Sequence, residues 1–304
     1  MKSPTRSWPR PRRWSVLSAS RAATRGQASN LDARPGFRAE ETDRPDALFR
    51  DPLAAKLAGD HGANILKTVP KSFAGAWSVI IRTIIIDDYI REAVAGGVDT
   101  VLNLGAGLDT RPYRLDLPNT LRWIEVDYPN VIALKATRLA DDKPRCKLER
   151  VSLDLTHAAR QKFLANTSAK ANKILVLTEG VIPYLTESDV AELADDLRAL
   201  KNCRYWIVDY FSPEALRFGE KMRTSFMRNA PFKFTPSDWF GFFTKRGWRP
   251  EQVRYISEEA ERLKRPFPAS LWTKIRFLLT IPFMSKQRRE QMRRYAAYVL
   301  LTPS

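Results

Sequence analysis

The sequence predicts an α/β fold: a mostly parallel sheet of seven strands with helices on both faces, preceded by a helical N-terminal cap. Two observations predict it. Five short apolar runs alternate with stretches of helical period through the middle of the chain, the pattern of βα units and a parallel sheet. A glycine turn, GAG at 105–107, closes the first of those runs. Such a turn after a first parallel strand lets backbone approach a ligand closely.

Taken in order, residues 1–30 hold seven cations, no acid and many Ser, Arg and Pro. With little periodicity, they read as a disordered basic tail. The composition also suits an organelle transit segment, or residues added by an upstream start. From residue 31 the text changes. FRAEETDRPDALFRDPLAAKLAGD (37–60) carries acids, an apolar rhythm and a Pro-bounded turn, as short cap helices would. SVIIRTIIIDDYIREAVAGG (78–97) has apolar residues at helical spacing and stops at Gly96-Gly97, completing a cap over 31–98.

The core, 99–304, then begins its alternation. VDTVLNLGAG is strand and loop; LRWIEVDYP is a second strand ending in acid, turn and proline; VIALKATRLADD is a helix. CKLERVSLDL is a third strand and HAARQKFLANTS a helix. NKILVLTEGVIPYL is a buried fourth strand running into a loop. ESDVAELADDLRALKN is a helix, with Thr186 as its cap and Asp189 in the capping-box position. CRYWIVDYF is the fifth strand. Helical stretches around 213–228 and 237–246 follow, and VRYIS and YAAYVLLT read as the last two strands.

Bulk properties bound the function. The chain of 304 residues has a net charge of +17, but residues 1–30 carry +7 and residues 262–304 carry +9. That leaves +1 for residues 31–261, so a fold-wide nucleic-acid surface is disfavoured. The basic termini leave peripheral contact with anionic surfaces open. No apolar run reaches the roughly 18 residues of a membrane span. Cys146 and Cys203 lie far apart, which fits a reducing compartment and a cytoplasmic location. The two histidines, His61 and His157, lack partners at zinc-ligand spacing, and no metal is expected.

The candidate site gathers at the strand ends. The turn at 105–109 is not GxGxxG, because Thr110 replaces the third glycine, and no GK[ST] follows. Asp109 inside the turn would repel a pyrophosphate. A phosphate-free nucleoside, S-adenosyl-L-methionine, suits it better; the alternative is a plain tight turn. Asp127, about twenty residues on, ends the second strand where an acid accepts ribose hydroxyls. Glu125 shares its parity and is the fallback, and Asp127 could equally be a turn former. Asp154 and Leu155 end the third strand and suit an adenine edge, unless Asp154 caps the next helix. Glu179-Gly180 ends the fourth strand, and a buried-strand acid has few structural reasons to exist.

Together, ETDRPDALFRDPLAAKLAG, the Arg-Thr of IIRTIIIDDYI, NLGAGLDTRPYRL, IEVDYPNVIALK, SLDL and TEGVIPYL resemble the leucine carboxyl methyltransferase-like family of S-adenosyl-L-methionine-dependent enzymes, bacterial type. They run in family order over about 40–300. The resemblance implies the class I methyltransferase (Rossmann-like) sheet. It implies that Arg82 pairs with the methionyl carboxylate and that Gly105 lies under the cofactor. Asp127 takes the ribose, Asp154 and Leu155 the adenine, and Glu179 the region of the sulfonium and amine. Arg82 could instead be a helix-surface cation, and Asp109 and Arg111 could pair to brace the loop. Pro183 departs from the family pattern, and residues 1–30 have no counterpart in it.

Methyl transfer needs a nucleophile held near an activated methyl group in a dry site. A carboxylate acceptor needs no general base; an alcohol would use Glu179, Asp209 or a histidine. Glu179 and Tyr184 are the expected catalytic residues, with Tyr184 and Tyr210 lining the substrate side. The expected acceptor is a carboxylate or acidic hydroxyl on a small molecule or peptide terminus. The segment 262–294 mixes cations with Trp272, Phe277, Leu278, Leu279 and Phe283. It reads as a lid helix packed on the domain in preference to a membrane-surface helix. The rival functions are a nicotinamide-dependent oxidoreductase and a non-enzymatic basic adaptor for RNA or membrane. The first lacks the third glycine and a Tyr-x-x-x-Lys pair; the second leaves Asp127, Asp154 and Glu179 unexplained.

Overall fold

A computed structural model describes residues 28–68, 74–153, 157–216, 232–280 and 283–304. Three helices come first: α1 (Ala28–Thr42), α2 (Ala54–Thr68) and α3 (Ala74–Ala95). The alternating region follows as β1 (Thr100–Leu104), α4 (Arg111–Arg114), β2 (Arg122–Asp127), α5 (Pro129–Arg138), β3 (Lys147–Ser152), α6 (His157–Ser168) and β4 (Ile174–Thr178). A 3₁₀ turn at Ile182–Tyr184 leads to α7 (Glu187–Ala199) and β5 (Cys203–Phe211). The chain ends with α8 (Trp239–Thr244), β6 (Trp248–Tyr255), α9 (Ile256–Arg262), α10 (Leu271–Thr280), α11 (Lys286–Arg293) and β7 (Ala296–Pro303).

All seven strands join one sheet in the order β3-β2-β1-β4-β5-β7-β6. The first five are parallel, and β7 lies antiparallel between β5 and β6. This is the expected α/β arrangement, a mostly parallel sheet of seven strands. The order reverses beside β1, whose neighbours are β2 and β4, and ligands of open parallel sheets bind at that switch point.

The alternation of side chains explains why both faces carry helices. Every residue of β1 and of β4 is buried. Leu102, Leu104, Ile124, Val126, Val176 and Trp206 face one layer, where they meet Val190, Leu193 and Leu197 of α7. Val101, Trp123, Leu175, Leu177 and Ile207 face the other, where they meet Ile81, Ile85 and Tyr89 of α3. A strand apolar on both faces can bury neither without a helix on each side.

Local signals hold where a side chain carries them. The Thr186 hydroxyl accepts from the Asp189 amide while the Asp189 carboxylate accepts from the Thr186 amide, the expected capping box. Helix α3 closes at Gly97, φ +88°, with Val98 N–H donating to the Ala93 carbonyl and Gly97 N–H to that of Val94. Those two bonds are a Schellman stop. Boundaries shift where neighbours decide. Helix α3 begins at Ala74, four residues earlier than its apolar rhythm. Strand β6 begins at Trp248, because β7 offers it a partner from Pro303 downward, and Ile256 and Ser257 belong to α9 instead.

The expected disordered tail lies outside the described residues up to 27, and residues 28–30 begin α1. The expected helix at 213–228 lies outside them from 217 on. The C-terminal segment corrects an expectation. Among its described side chains, three of the apolar ones do not pack on the domain: Trp272 is 81% exposed, Leu279 64% and Phe283 91%, while the side chains of Phe277 and Leu278 lie outside the described ones. Among the described residues, no helix is long and apolar enough to cross a membrane.

Candidate active site

The cleft opens where β1, β2 and β4 end. Gly105, Asp127, Tyr128, Leu153, Val181 and Leu185 line it together with Arg160, which is paired with Asp196, so it is a mostly apolar slot with a carboxylate at its edge. Gly105 has φ +71°, a left-handed conformation that favours glycine. A Cβ built there would lie 2.5 Å from Cγ2 of Val181, so backbone alone fits this wall.

Asp127 is fixed by its own surroundings. Its Oδ2 accepts from the Gly107 amide at 2.7 Å, and its Oδ1 accepts from the Tyr128 amide at 2.7 Å. An ionised carboxylate has about four acceptor positions, so two remain for hydroxyls of a ligand. Burial pushes its pKa up, and the two amides pull it back. Glu125, the same-parity fallback, is excluded. It is fully buried and takes the Lys135 ammonium at 2.6 Å and the Arg150 guanidinium at 3.2 Å, forming a structural ion cluster under α5.

Glu179 follows β4 directly and meets two guanidiniums. Arg82 Nε of α3 lies 2.9 Å from Oε1, and Arg111 Nη1 lies 2.8 Å from Oε2. Burial pushes the Glu179 pKa up, but Arg111 and Arg82 outweigh it and hold it at about 2. Arg111 is itself 3% exposed. Its Nη1 also donates to Asp109 at 3.0 Å, and its Nε to Asp87 at 2.7 Å. The expected Asp109–Arg111 brace is thus present, with Asn103 donating to the same Asp109 oxygen at 2.9 Å.

The brace reaches into the cap. Asp87 also accepts from both terminal nitrogens of Arg114, at 2.5 and 2.8 Å. Asp51 accepts from Arg38 at 2.8 Å and from the Thr110 hydroxyl at 2.6 Å, and Arg38 also donates to the Leu108 carbonyl at 2.7 Å. Thr110, Arg111 and Arg114 of the segment DTRPYR are therefore spent on holding the turn to the cap, while Asp109 braces the turn from within. That is why an apolar helix such as α3 carries a buried acid at 87: it answers two arginines from α4.

A second acid backs the site. Asp209 of β5 accepts from the Gly180 amide at 3.1 and 2.9 Å and from the Tyr298 hydroxyl at 2.8 Å. Burial pushes its pKa up to about 6, against the Tyr298 hydrogen bond and the Arg82 charge. Tyr184 lies in the 3₁₀ turn, half-buried, with its ring edge-on to Phe232 at 5.5 Å. The Pro183 carbonyl accepts from the Lys233 and Phe234 amides, so the backbone at 183 pins the segment that carries Phe232. Tyr210 packs among Trp239, Phe240 and Tyr255, as part of an aromatic cluster.

Of the expected site residues, Gly105 and Asp127 share the cleft, and Arg82 and Glu179 form one ion pair. Asp154 and Leu155 lie outside the described residues. Sequence reasoning passed over Asp87, Arg114, Val181 and Arg34. The last is close enough to Gly180 that a Cβ there would lie 3.0 Å from its Nη1. The signal for Asp87 was an acid pair inside an isoleucine-rich helix.

A model of the leucine carboxyl methyltransferase family matches residues 35–198. A protein of Parafrankia sp. is 30% identical over 256 residues, 77% of this chain and 80% of that one. One from Streptomyces avermitilis is 30% identical over 241 residues, 75% of this chain and 85% of that one. Both are provisionally named as S-adenosyl-L-methionine-dependent methyltransferases. Among solved structures, a DUF574 family protein of Streptomyces avermitilis superposes with a TM-score of 0.50 at 12% identity, over 90% of this chain and 100% of that one. That likeness is one of fold.

Proposed function

The chain belongs to the leucine carboxyl methyltransferase family, and on that premise we propose that this S-adenosyl-L-methionine-dependent methyltransferase O-methylates a carboxylate, or a hydroxyl acidic enough to arrive ionised. The oxidoreductase and adaptor alternatives give way to that membership.

The residues present suit the cofactor. A mostly apolar slot with a left-handed glycine for its floor and one carboxylate at its edge accepts an adenosine without phosphates. Asp127 would take the ribose hydroxyls on its two remaining acceptor positions. Arg82 would take the methionyl carboxylate with N–H groups not aimed at Glu179, and Glu179 the amine. Asp154 and Leu155 keep the adenine edge by their place in the sequence. S-adenosyl-L-methionine supplies a methyl group already activated by the sulfonium charge. The protein is left to orient the acceptor and exclude water.

One observation supports the acceptor class: the two acids available as a general base at the end of β4 and β5, Glu179 and Asp209, are both engaged. Glu179, held at about 2 between two guanidiniums, has almost no affinity for a proton at neutral pH. Asp209 is 4% exposed and already receives the Gly180 amide and the Tyr298 hydroxyl. Glu179 is therefore assigned to electrostatic positioning and not to proton abstraction, and Tyr184 to the acceptor's side of the cleft. An acceptor that needs no base fits such a site.

The test is incubation of the full chain with methyl-labelled cofactor and a cell extract, followed by mild alkali. A carboxyl ester releases its label as methanol. Label that survives alkali and resides on an aliphatic alcohol or an amine would overturn the proposal.

A further inference from the structure

Among its described side chains, the segment between α9 and β7 turns large apolar residues outward. It leaves the domain at a firm anchor. Arg265 pairs with Glu41 at 2.8 Å and Asp46 at 2.6 Å, and the Trp77 indole donates to the Arg265 carbonyl at 2.9 Å. The Phe267 ring closes on Trp77 at 5.3 Å. Beyond that anchor, Trp272, Ile275, Arg276, Leu279 and Thr280 of α10 are exposed. Their spacing of i, i+3, i+4, i+7, i+8 is one helix face, and three of the five are large and apolar. Phe283, beyond the helix end, is 91% exposed.

Cations surround the stripe. All of α11 is exposed, and Ser285 caps it by accepting from the Arg288 amide. Arg293 is occupied by Glu261 and Arg294 by Glu290. No ion pair among the described residues occupies Arg276, Lys286, Arg288 or Arg289. Residues 262–304 hold ten cations against one acid, while residues 31–261 carry only +1. Of the net +17, +9 therefore belongs to the segment that carries the exposed apolar face and its continuation to the end of β7.

We infer that α10 and α11 form a membrane-surface attachment site for an anionic lipid bilayer. The chemistry separates this from the other occupants. A second copy of the chain would bring the same positive charge to the same face, a like-charge contact. Single-stranded nucleic acid stacks on aromatic faces, but gains nothing from aliphatic Ile275 and Leu279 in the same row. An anionic bilayer accepts both components, with the aliphatic and aromatic side chains at the acyl boundary and the cations among the headgroups. Neither component alone gives durable attachment, and here they are adjacent.

The test is flotation of the full chain with phosphatidylcholine vesicles, with and without phosphatidylglycerol. The expected result is attachment only to the phosphatidylglycerol vesicles, weakened by salt. Trp272→Ser/Leu279→Ser/Phe283→Ser should lower the partition about tenfold or more, and so should Arg288→Glu/Arg289→Glu. Both variants should keep wild-type thermal unfolding and cofactor affinity, since these side chains already face solvent. Failure of the wild type to bind anionic vesicles overturns the inference. So does binding that both variants retain, which would move the attachment to the basic residues 1–30. Self-association or RNA binding that the triple variant abolishes, without vesicle binding, overturns it as well.

Discussion

Arg111 and Glu179 meet at 2.8 Å across 68 residues of chain, tying the turn after β1 to the end of β4. The pair joins the two strands that flank the switch point of the sheet. Because the same guanidinium reaches Asp109 and Asp87, a single side chain sets the loop, the cap helix and the acid of the site together. A cleft built this way has its charges fixed before any ligand arrives.

Replacing Arg111 should therefore damage stability as well as binding. Arg111→Ala takes a guanidinium from three carboxylates, each left with a weaker set of partners, and removing one partner of a buried ion pair costs about 3–5 kcal/mol. Arg111→Lys should recover less than half of that loss, because an ammonium lacks the guanidinium fork. Urea unfolding at neutral pH reads both. A loss below about 1 kcal/mol, the scale of an exposed pair, would show that Arg111 is no hub.

Gly105 offers a test with separable parts. In Gly105→Ala the new Cβ meets Val181 Cγ2 at 2.5 Å, and the backbone stays at φ +71°. The left-handed conformation costs a side chain about 1–2 kcal/mol, and the overlap adds about as much. Adding Val181→Ala should return the overlap and leave the conformational cost. Thermal unfolding of the double-mutant cycle measures this. Calorimetric titration with S-adenosyl-L-methionine should show affinity lost in the single variant. Wild-type affinity there would reduce Gly105 to a turn residue.

How much of this was legible in the sequence depended on range. The alternation of strand and helix, the Thr186 capping box and the Gly97 stop are local, and residues within four positions decide them. Asp127 was legible because its place follows from the end of a strand at fixed distance from the turn. Glu125 was the informative miss: parity places it beside Asp127, but only the packing of α5 brings Lys135 over it. Beyond the Asp109–Arg111 pair, the guanidinium hub was illegible for the same reason, since Asp87 and Glu179 meet Arg111 only once α3 and β4 are assembled. The stripe on α10 had a readable period, and the period does not say whether the face turns inward or outward.

Asp127 should separate affinity from fold. Its carboxylate accepts two backbone amides and keeps acceptor positions toward the cleft. Asp127→Asn retains one acceptor oxygen and loses the charge. A hydrogen bond to a charged group contributes about 1.5–3 kcal/mol, so the dissociation constant for S-adenosyl-L-methionine should rise about 10- to 150-fold. Titration calorimetry gives the constant, and unfolding in the same buffer shows whether the fold survives. Unchanged affinity would remove Asp127 from the cofactor site.

The two acids of the site should give stability a peaked pH profile. Glu179 is held at about 2, below its ordinary 4.5, so its ionised form contributes stability that is fully present above 4.5. That contribution fades as pH falls toward 2. Asp209 is displaced the other way, from 3.8 up to about 6. Its neutral form contributes stability that is fully present below 3.8 and lost as pH rises through 6. A shift of that size corresponds to roughly 3 kcal/mol at most. The wild type should therefore lose stability between pH 4 and pH 7 on account of Asp209. Asp209→Asn, which cannot ionise, should not share that loss. Urea midpoints of the two proteins across the interval decide the matter. Parallel curves would mean that Asp209 stays ionised throughout, with the Arg82 charge and its hydrogen bonds prevailing over burial.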